Sequence, residues 1–265
     1  MILASSSPFA VLLGIAAAAA YAVPAALPSR LSETGARIAL WLAWALHGSM
    51  LAAGMLQGAP RFGFAPALSV TAWLVLTVYA IERELFPKLR TRWGLAALGA
   101  VAVVLALVFP GQPLHVSATA WLPLHLALGI SAYGLFGAAV VHAALMTRAE
   151  ARLRLAEDPH SGLPLLTLER LTFRFVTAGF VLLTATLAAG VLFSEALYGR
   201  AWRWDHKAVF SVLSWLTFAA LLLGRRRFGW RGRSAVRVLY AGAVLLLLAY
   251  VGSRFALEVV LGRAP

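Results

Sequence analysis

The fold is decided by residues 171–223. They read LTFRFVTAGFVLLTATLAAGVLFSEAL, then YGRAWRWDHK at 198–207, then AVFSVLSWLTFAALLL. Each apolar run is long enough, or nearly so, to cross the roughly 30 Å hydrocarbon core of a bilayer as a helix. The ten residues between them hold two tryptophans, a carboxylate, a histidine and three cations, which a simple connection between spans does not need. The stretch predicts two membrane helices joined by a functional loop.

The same pattern extends along the whole chain. Of its 265 residues, 62% are hydrophobic and 12% are charged, about half the charged fraction of soluble domains. Strand alternation is absent, so the sequence predicts an all-α polytopic transmembrane helix bundle that forms a single integral membrane domain over residues 1–265. About eight spans are expected, at residues 8–27, 35–56, 64–81, 92–109, 121–146, 171–197, 208–223 and 234–261.

The positive charges indicate the orientation. The net charge of +13 would suit a nucleic-acid-binding protein, but the cations lie in loops between apolar runs, which argues against that class. The loops after spans one, three, five and seven contain seventeen Lys and Arg, whereas the loops on the opposite side of the membrane contain five. The positive-inside rule then places both termini and the loop at 198–207 outside the cytoplasm, in an inner (plasma) membrane protein.

The first residues, a basic segment before the last span and the lack of cysteine complete this outline. Residues 1–7 carry no positive charge, so the first apolar run is expected to be a retained span rather than a signal peptide. Residues 225–233, RRRFGWRGR, predict an anchor to lipid headgroups. Cysteine is absent, which excludes disulfides, thiolate metal sites and a covalent thioether link to haem within this chain.

The loop at 198–207 has the composition of a platform for a large planar ligand. Trp202 and Trp204 offer flat apolar faces beside a possible metal ligand, His206, and such a surface suits haem. Arg200 and Arg203 are placed to pair with the propionates, because guanidinium binds carboxylate bidentately. The alternative is a tryptophan belt at the membrane interface with solvated charges.

Histidines at matching depth are the candidate iron ligands. His125 begins span five and His206 begins span seven, both near the outer surface, so the two imidazoles can face each other as in a six-coordinate haem. Alternatively, each caps a helix or binds water. His47, deeper in span two, could ligate a second haem, replace one of the pair or hydrogen-bond a neighbouring helix. The remaining histidines, at 115, 142 and 160, are expected to be snorkelling or solvated.

Charged side chains near these groups have supporting roles in this interpretation. Asp205 and Glu195 could orient the loop cations or a histidine N–H. Arg254 and Glu258, four residues apart in span eight, could neutralise each other, or Arg254 could reach a propionate.

The loop resembles the tryptophan-rich outer loop of the cytochrome c assembly proteins (the CcmC, CcmF and CcsA group), whose pattern is W-G-x-x-W-x-W-D-P-K-E. Residues that fit the pattern are Gly199, Trp202, Trp204, Asp205 and Lys207. Tyr198 stands for the first tryptophan, and His206 and Ala208 stand for the proline and glutamate. LPLHLALGISAYGLF, residues 122–136, is similar to that family's His-x-x-x-x-x-Ser-Tyr segment. The resemblance covers about residues 122–261, and the size matches the smaller, HemX-like branch.

The resemblance implies that the loop carries haem, with His125 as an axial ligand. We expect a protein that binds haem b non-covalently and presents it for cytochrome c assembly alongside other assembly or membrane proteins. Bond formation would then belong to a partner that supplies the thiols, so we do not expect catalysis by this chain alone. The alternatives are a transport-related or accessory membrane subunit without haem, and a membrane-bound electron-transfer haem protein.

Overall fold

The computed structural model describes residues 8–27, 31–56, 61–85, 93–113, 121–154, 164–195 and 204–261. Within them the chain is almost wholly helical. Its helices are α1 (Pro8–Ala26), α2 (Glu33–Leu56), α3 (Phe64–Leu85), α4 (Trp93–Val108), α5 (Trp121–Arg154), α6 (Leu165–Leu192), α7 (His206–Phe228) and α8 (Gly232–Leu247). Among these ranges, seven helices are long and apolar enough to cross a membrane when the last is followed from α8 to Val260, which confirms the all-α polytopic prediction.

Several helices depart from the predicted spans: α3 ends four residues and α7 five residues later than predicted, and α4, α5 and α6 differ as well. α4 has only 16 residues and rises about 24 Å, so it is shorter than a bilayer core. α5 continues for 34 residues to Arg154, eight beyond the predicted end, and Glu150 pairs with Arg154 at 2.6 Å one turn apart in the added part. α6 begins six residues before its predicted start.

A short antiparallel ladder, which the sequence analysis missed, joins the loops before α3 and after α4. β1 (Arg61–Phe62) pairs with β2 (Gln112–Pro113), and the Arg61 guanidinium donates to the Gly111 carbonyl at 2.8 and 3.1 Å. Gly111 has φ 76°, a conformation that favours glycine. Two-residue strands are too short to show the alternation from which strands are predicted.

The helices group into two compact units. The first contains α1 to α4 and the end of the last span from Arg254, and the second contains α5 to α8 up to Ser253. In the first unit α1 packs on α2 and α4, around a core that includes Tyr21. In the second unit α6 packs on α5 and α7, and α8 also packs on α5 and α7.

Aromatic rings lie directly on helix glycines in both units. A β carbon built on each of these glycines would approach a ring to between 2.4 and 3.2 Å, closer than ordinary van der Waals contact. The absence of a side chain therefore lets each ring fill the space beside the backbone. The pairs are Gly48 with Trp73, Gly99 with Tyr21, Gly179 with Phe136, Gly224 with Trp230, and Gly242 with Phe218.

The last span changes its winding after α8. It passes through a π-helical segment (Leu248–Gly252), one α-helical turn (Ser253–Phe255) and a second π-helical segment (Ala256–Val260). The Ser253 N–H bonds to the Leu248 carbonyl five residues back, and the Ser253 hydroxyl donates to the Ala249 carbonyl at 3.0 Å. A side chain thus satisfies a backbone oxygen in the π-helical stretch.

Candidate functional site

Ring and ion-pair contacts fix the relative directions of the helices in the second unit. Trp121, at the start of α5, stacks on Phe193, just past the end of α6, with centroids 4.1 Å apart. At the opposite end of the unit, Arg225 of α7 pairs with Glu169 of α6 at 2.7 Å. α6 is therefore antiparallel to both neighbours, and α5 and α7 begin at the same end.

The candidate ligands His125 and His206 lie at similar depth in this unit. Phe136 of α5 stacks on Phe218 of α7, with centroids 3.8 Å apart and ring planes within 8°. His125 precedes Phe136 by eleven positions and His206 precedes Phe218 by twelve, rises of roughly 16 and 18 Å along the two helices. Both imidazoles thus belong to the same end of the unit.

His125 is half-buried and is oriented by the neighbouring helix. Its ring hydrogen-bonds the main chain of Thr186 on α6. Gly129, one turn further along α5, faces the Thr186 side chain, and a β carbon there would lie 3.6 Å from it, in ordinary van der Waals contact. The Nδ1 atom of His125 is buried. A metal-ligating histidine usually donates its other ring N–H to a carbonyl or carboxylate.

His206 is the first residue of α7 and is exposed. Asp205 precedes it as the N-cap, and its carboxylate accepts a hydrogen bond from the Ala208 N–H at 2.9 Å. An aspartate in this position satisfies a backbone donor that the helix itself leaves unpaired. Asp205 therefore fixes where α7 starts and, with it, the backbone position of His206.

Trp204 lies immediately before the cap and is 69% exposed. Trp202, Arg200 and Arg203 lie outside the described residues, so their proposed contacts remain predictions. Glu195 is exposed at the end of the segment that follows α6.

His47 belongs to the first unit, where it is fully buried. Its Nε2 lies 2.8 Å from the Ser69 hydroxyl on α3, and the Tyr21 ring of α1 meets it edge-on at 5.8 Å. Among the described residues, neither His47 Nδ1 nor the Tyr21 hydroxyl has a hydrogen-bond partner. A hydrogen bond to a neighbouring helix was one of the alternatives for His47, and the sequence alone could not identify Ser69 as the partner.

The prediction that the His142 side chain is snorkelling or solvated is wrong. The side chain is buried rather than solvated, and its Nδ1 bonds the Ala138 carbonyl one turn back at 2.8 Å. It also packs on Phe175 of α6. The α5 and α6 helices extend beyond their predicted bounds, which keeps this position within the packed length of the bundle.

Arg254 and Glu258 lie in the part of the last span that belongs to the first unit. The Glu258 carboxylate lies against Gly63 and accepts a hydrogen bond from the Phe64 backbone, at the start of α3. The negative charge therefore meets the N-terminus of a helix, where backbone N–H groups and the helix dipole favour it. Glu258 has a partner here that the sequence did not suggest.

Known proteins of the cell membrane are similar to this chain. Residues 34–261 match the family model described as "Cytochrome C assembly protein". The chain is 32% identical over 168 residues to the inner membrane protein YpjD of Escherichia coli (strain K12), covering 62% of this chain and 63% of that protein. It is 36% identical over 85 residues to the cytochrome c biogenesis protein CcsA of Prochlorococcus marinus (strain MIT 9303), covering 32% of this chain and 27% of that protein.

A second CcsA, from Synechococcus sp. (strain CC9311), is also 36% identical over 85 residues and is covered to 28% of its length. The chain thus spans less than two thirds of these relatives. No solved structure matches it significantly. With its apolar helices, the likeness to these relatives identifies a multi-pass protein of the inner membrane.

Proposed function

Because this chain belongs to the cytochrome c assembly protein family, we propose that it acts in cytochrome c assembly as a haem-handling protein. It holds haem b non-covalently at the end of the second unit where α5 and α7 begin, and His125 and His206 are the axial ligands. The observation that carries this proposal is the similar depth of the two histidines, counted from the stacked Phe136 and Phe218.

The residues at this end suit an iron porphyrin. His125 hydrogen-bonds the Thr186 main chain, and a hydrogen bond of this kind is the usual support of a metal-ligating histidine. The cap from Asp205 holds the first turn of α7 below His206. Trp202 and Trp204 would cover the macrocycle, and Arg200 and Arg203 would pair with its propionates.

The chemistry of this chain is binding and presentation. The haem is its cargo, and its iron can change oxidation state when bound. Covalent attachment of haem to a cytochrome c needs thiols, and this chain has no cysteine. The thiols therefore come from a partner, which we propose to be an apocytochrome brought by other membrane proteins of the same assembly process.

The absorption spectrum of the purified protein tests the proposal. We expect haem-loaded wild type to show the Soret band of a six-coordinate, low-spin haem. His125→Ala and His206→Gly should each lose that low-spin spectrum, and the double variant should not retain haem. Because His206 is exposed, free imidazole should restore the low-spin spectrum of His206→Gly.

His142→Gln is the matched control, since His142 lies on the same helix as His125 but bonds within its own helix. Its spectrum should equal that of wild type. A wild-type protein without a Soret band after haem loading, or single variants that leave the band unchanged, would favour an accessory or transport-related subunit without haem.

A further inference from the structure

The turn between α7 and α8 is held by several internal contacts at one end of the second unit. α7 ends at Gly229, whose φ of 65° is a left-handed helix cap. The Trp230 N–H then donates to the Gly224 carbonyl at 3.2 Å. The Trp230 ring lies on Gly224, so closely that a β carbon there would come within 2.4 Å of it. Residues 225–233 are thus held in one shape.

Only part of the positive charge in this turn is neutralised by the protein. Arg225 pairs with Glu169 at 2.7 Å, and its guanidinium lies 3.5 Å from the centre of the Phe173 ring. Arg231 approaches the same carboxylate at 3.8 Å. Glu169 is largely buried by these contacts, so it is not available to the other arginines of the turn.

Arg226 and Arg227 in the last turn of α7, and Arg233 in the first turn of α8, are exposed. In the part of the chain that the structure describes, none of these three has a carboxylate within 4 Å. Phe228 follows Arg227 directly and is 75% exposed. An apolar ring beside guanidinium groups that no carboxylate neutralises matches a ligand that is both anionic and apolar.

The position of the last turn of α7 in the bilayer further limits the class of ligand. α7 is a membrane-spanning helix, so its last turn lies where the phosphates of lipid headgroups lie. Arginine binds phosphate bidentately, and basic clusters at the ends of membrane helices attract anionic lipids. An exposed aromatic side chain at the same level can enter the boundary between headgroups and acyl chains.

We propose that Arg226, Arg227, Phe228 and Arg233 form a binding site for an anionic glycerophospholipid. The guanidinium groups bind the headgroup phosphate, and the Phe228 ring packs beside the glycerol and the upper acyl chain. Glu169 serves the site indirectly, because it holds Arg225 and Arg231 and so fixes the turn. The proposal does not depend on haem binding.

Native mass spectrometry of the 265-residue chain, titrated with phosphatidylglycerol in detergent, tests this site. Each interfacial arginine attracts anionic lipid, so R226Q/R227Q, which removes two of these charges, should weaken phosphatidylglycerol binding by about thirtyfold. R226K/R227K should keep most of the affinity, since it conserves charge. Phe228→Ser should also weaken binding, and phosphatidylcholine should bind wild type and variants equally weakly.

The control is R148Q/R152Q, which removes two exposed arginines from α5 at the same end of the unit. It should bind phosphatidylglycerol nearly as well as wild type. Equal losses in both double variants would mean a general charge effect and would overturn the proposal. The proposal would also be overturned if inorganic phosphate, at the same concentration as the lipid, displaced phosphatidylglycerol completely and Phe228→Ser bound phosphatidylglycerol as well as wild type. The ligand would then be phosphate itself. Melting curves in phosphatidylcholine would show that each variant is folded.

Discussion

Asp205 illustrates how one side chain in the tryptophan-rich segment serves the fold and the proposed site together. Its carboxylate caps α7, and His206 is the next residue in the chain and the first of that helix. A cap acts only over the first turn of a helix, so the effect of Asp205 is confined to the end where haem is proposed to bind.

We expect Asp205→Ala to lower the free energy of unfolding by about 1 kcal/mol, because the Ala208 N–H loses its acceptor. Asp205→Asn should be nearly neutral, since asparagine caps helices equally well. Unfolding in mixed micelles, followed by circular dichroism, measures both. If Asn costs as much as Ala, the charge of Asp205 matters rather than its cap. Haem retention should follow the same order as stability.

The sequence indicated the similar depth of His125 and His206, but it did not indicate the burial of His142 or the partners of any histidine. The similar depth of His125 and His206 follows from counting positions inward from the ends of apolar runs, which needs no knowledge of packing. Their partners depend on how neighbouring helices rotate against each other. Ser69, beside His47, and Thr186, beside His125, are ordinary residues in apolar runs and gave no signal.

At the scale of elements, the contact between α7 and α8 depends on a glycine. The Phe218 ring occupies the space beside Gly242, and the Ser214 hydroxyl donates to the Gly242 carbonyl at 2.9 Å. Phe218 in turn stacks on Phe136. This set of contacts joins three helices below the proposed haem site.

Gly242→Ala should destabilise the protein by about 1–3 kcal/mol, because the added methyl would lie 2.8 Å from the Phe218 ring. Gly54→Ala in α2 is the control. Among the described residues, no atom beyond its own stretch of helix lies within 4 Å of the place a β carbon would take. That change should therefore be neutral or stabilising by up to about 1 kcal/mol.

Chemical unfolding in mixed micelles, followed by circular dichroism, compares the two variants. A loss of stability confined to Gly242→Ala would show that the contact with the Phe218 ring decides the outcome. Equal effects of both changes would show instead that helix propensity decides stability.

Element type was predictable in this chain, whereas irregular winding was not. Long apolar runs in a bilayer leave helices as the available structure, so the existence of α1 to α8 follows from composition. The π-helical segments depend on local bonds such as that from Ser253 to Ala249, and the β1–β2 ladder depends on two loops far apart in the chain. Neither leaves a periodic pattern in the sequence.

At the scale of the whole molecule, the basic residues predict that both termini lie outside the cytoplasm. Helix directions within each unit are the same for either orientation in the bilayer, so the sidedness remains a prediction. The lack of cysteine makes a direct measurement simple, because a single introduced thiol is then unique.

We expect a membrane-impermeant maleimide to label Glu195→Cys in intact spheroplasts and to label Ala151→Cys only after the membrane is opened. Both positions are exposed, and they lie at opposite ends of the second unit. The reverse labelling pattern would invert the topology and would place the proposed haem site on the cytoplasmic side.

The five glycines that lie against aromatic rings also limit which mutations the protein tolerates. Any single-base change that replaces a glycine adds at least a β carbon, and at these positions the volume is already occupied. In a library of random point mutants screened for folded protein in the membrane, lost clones should therefore be more frequent at these five codons than at the codon of Gly54, beside which the described residues leave open space.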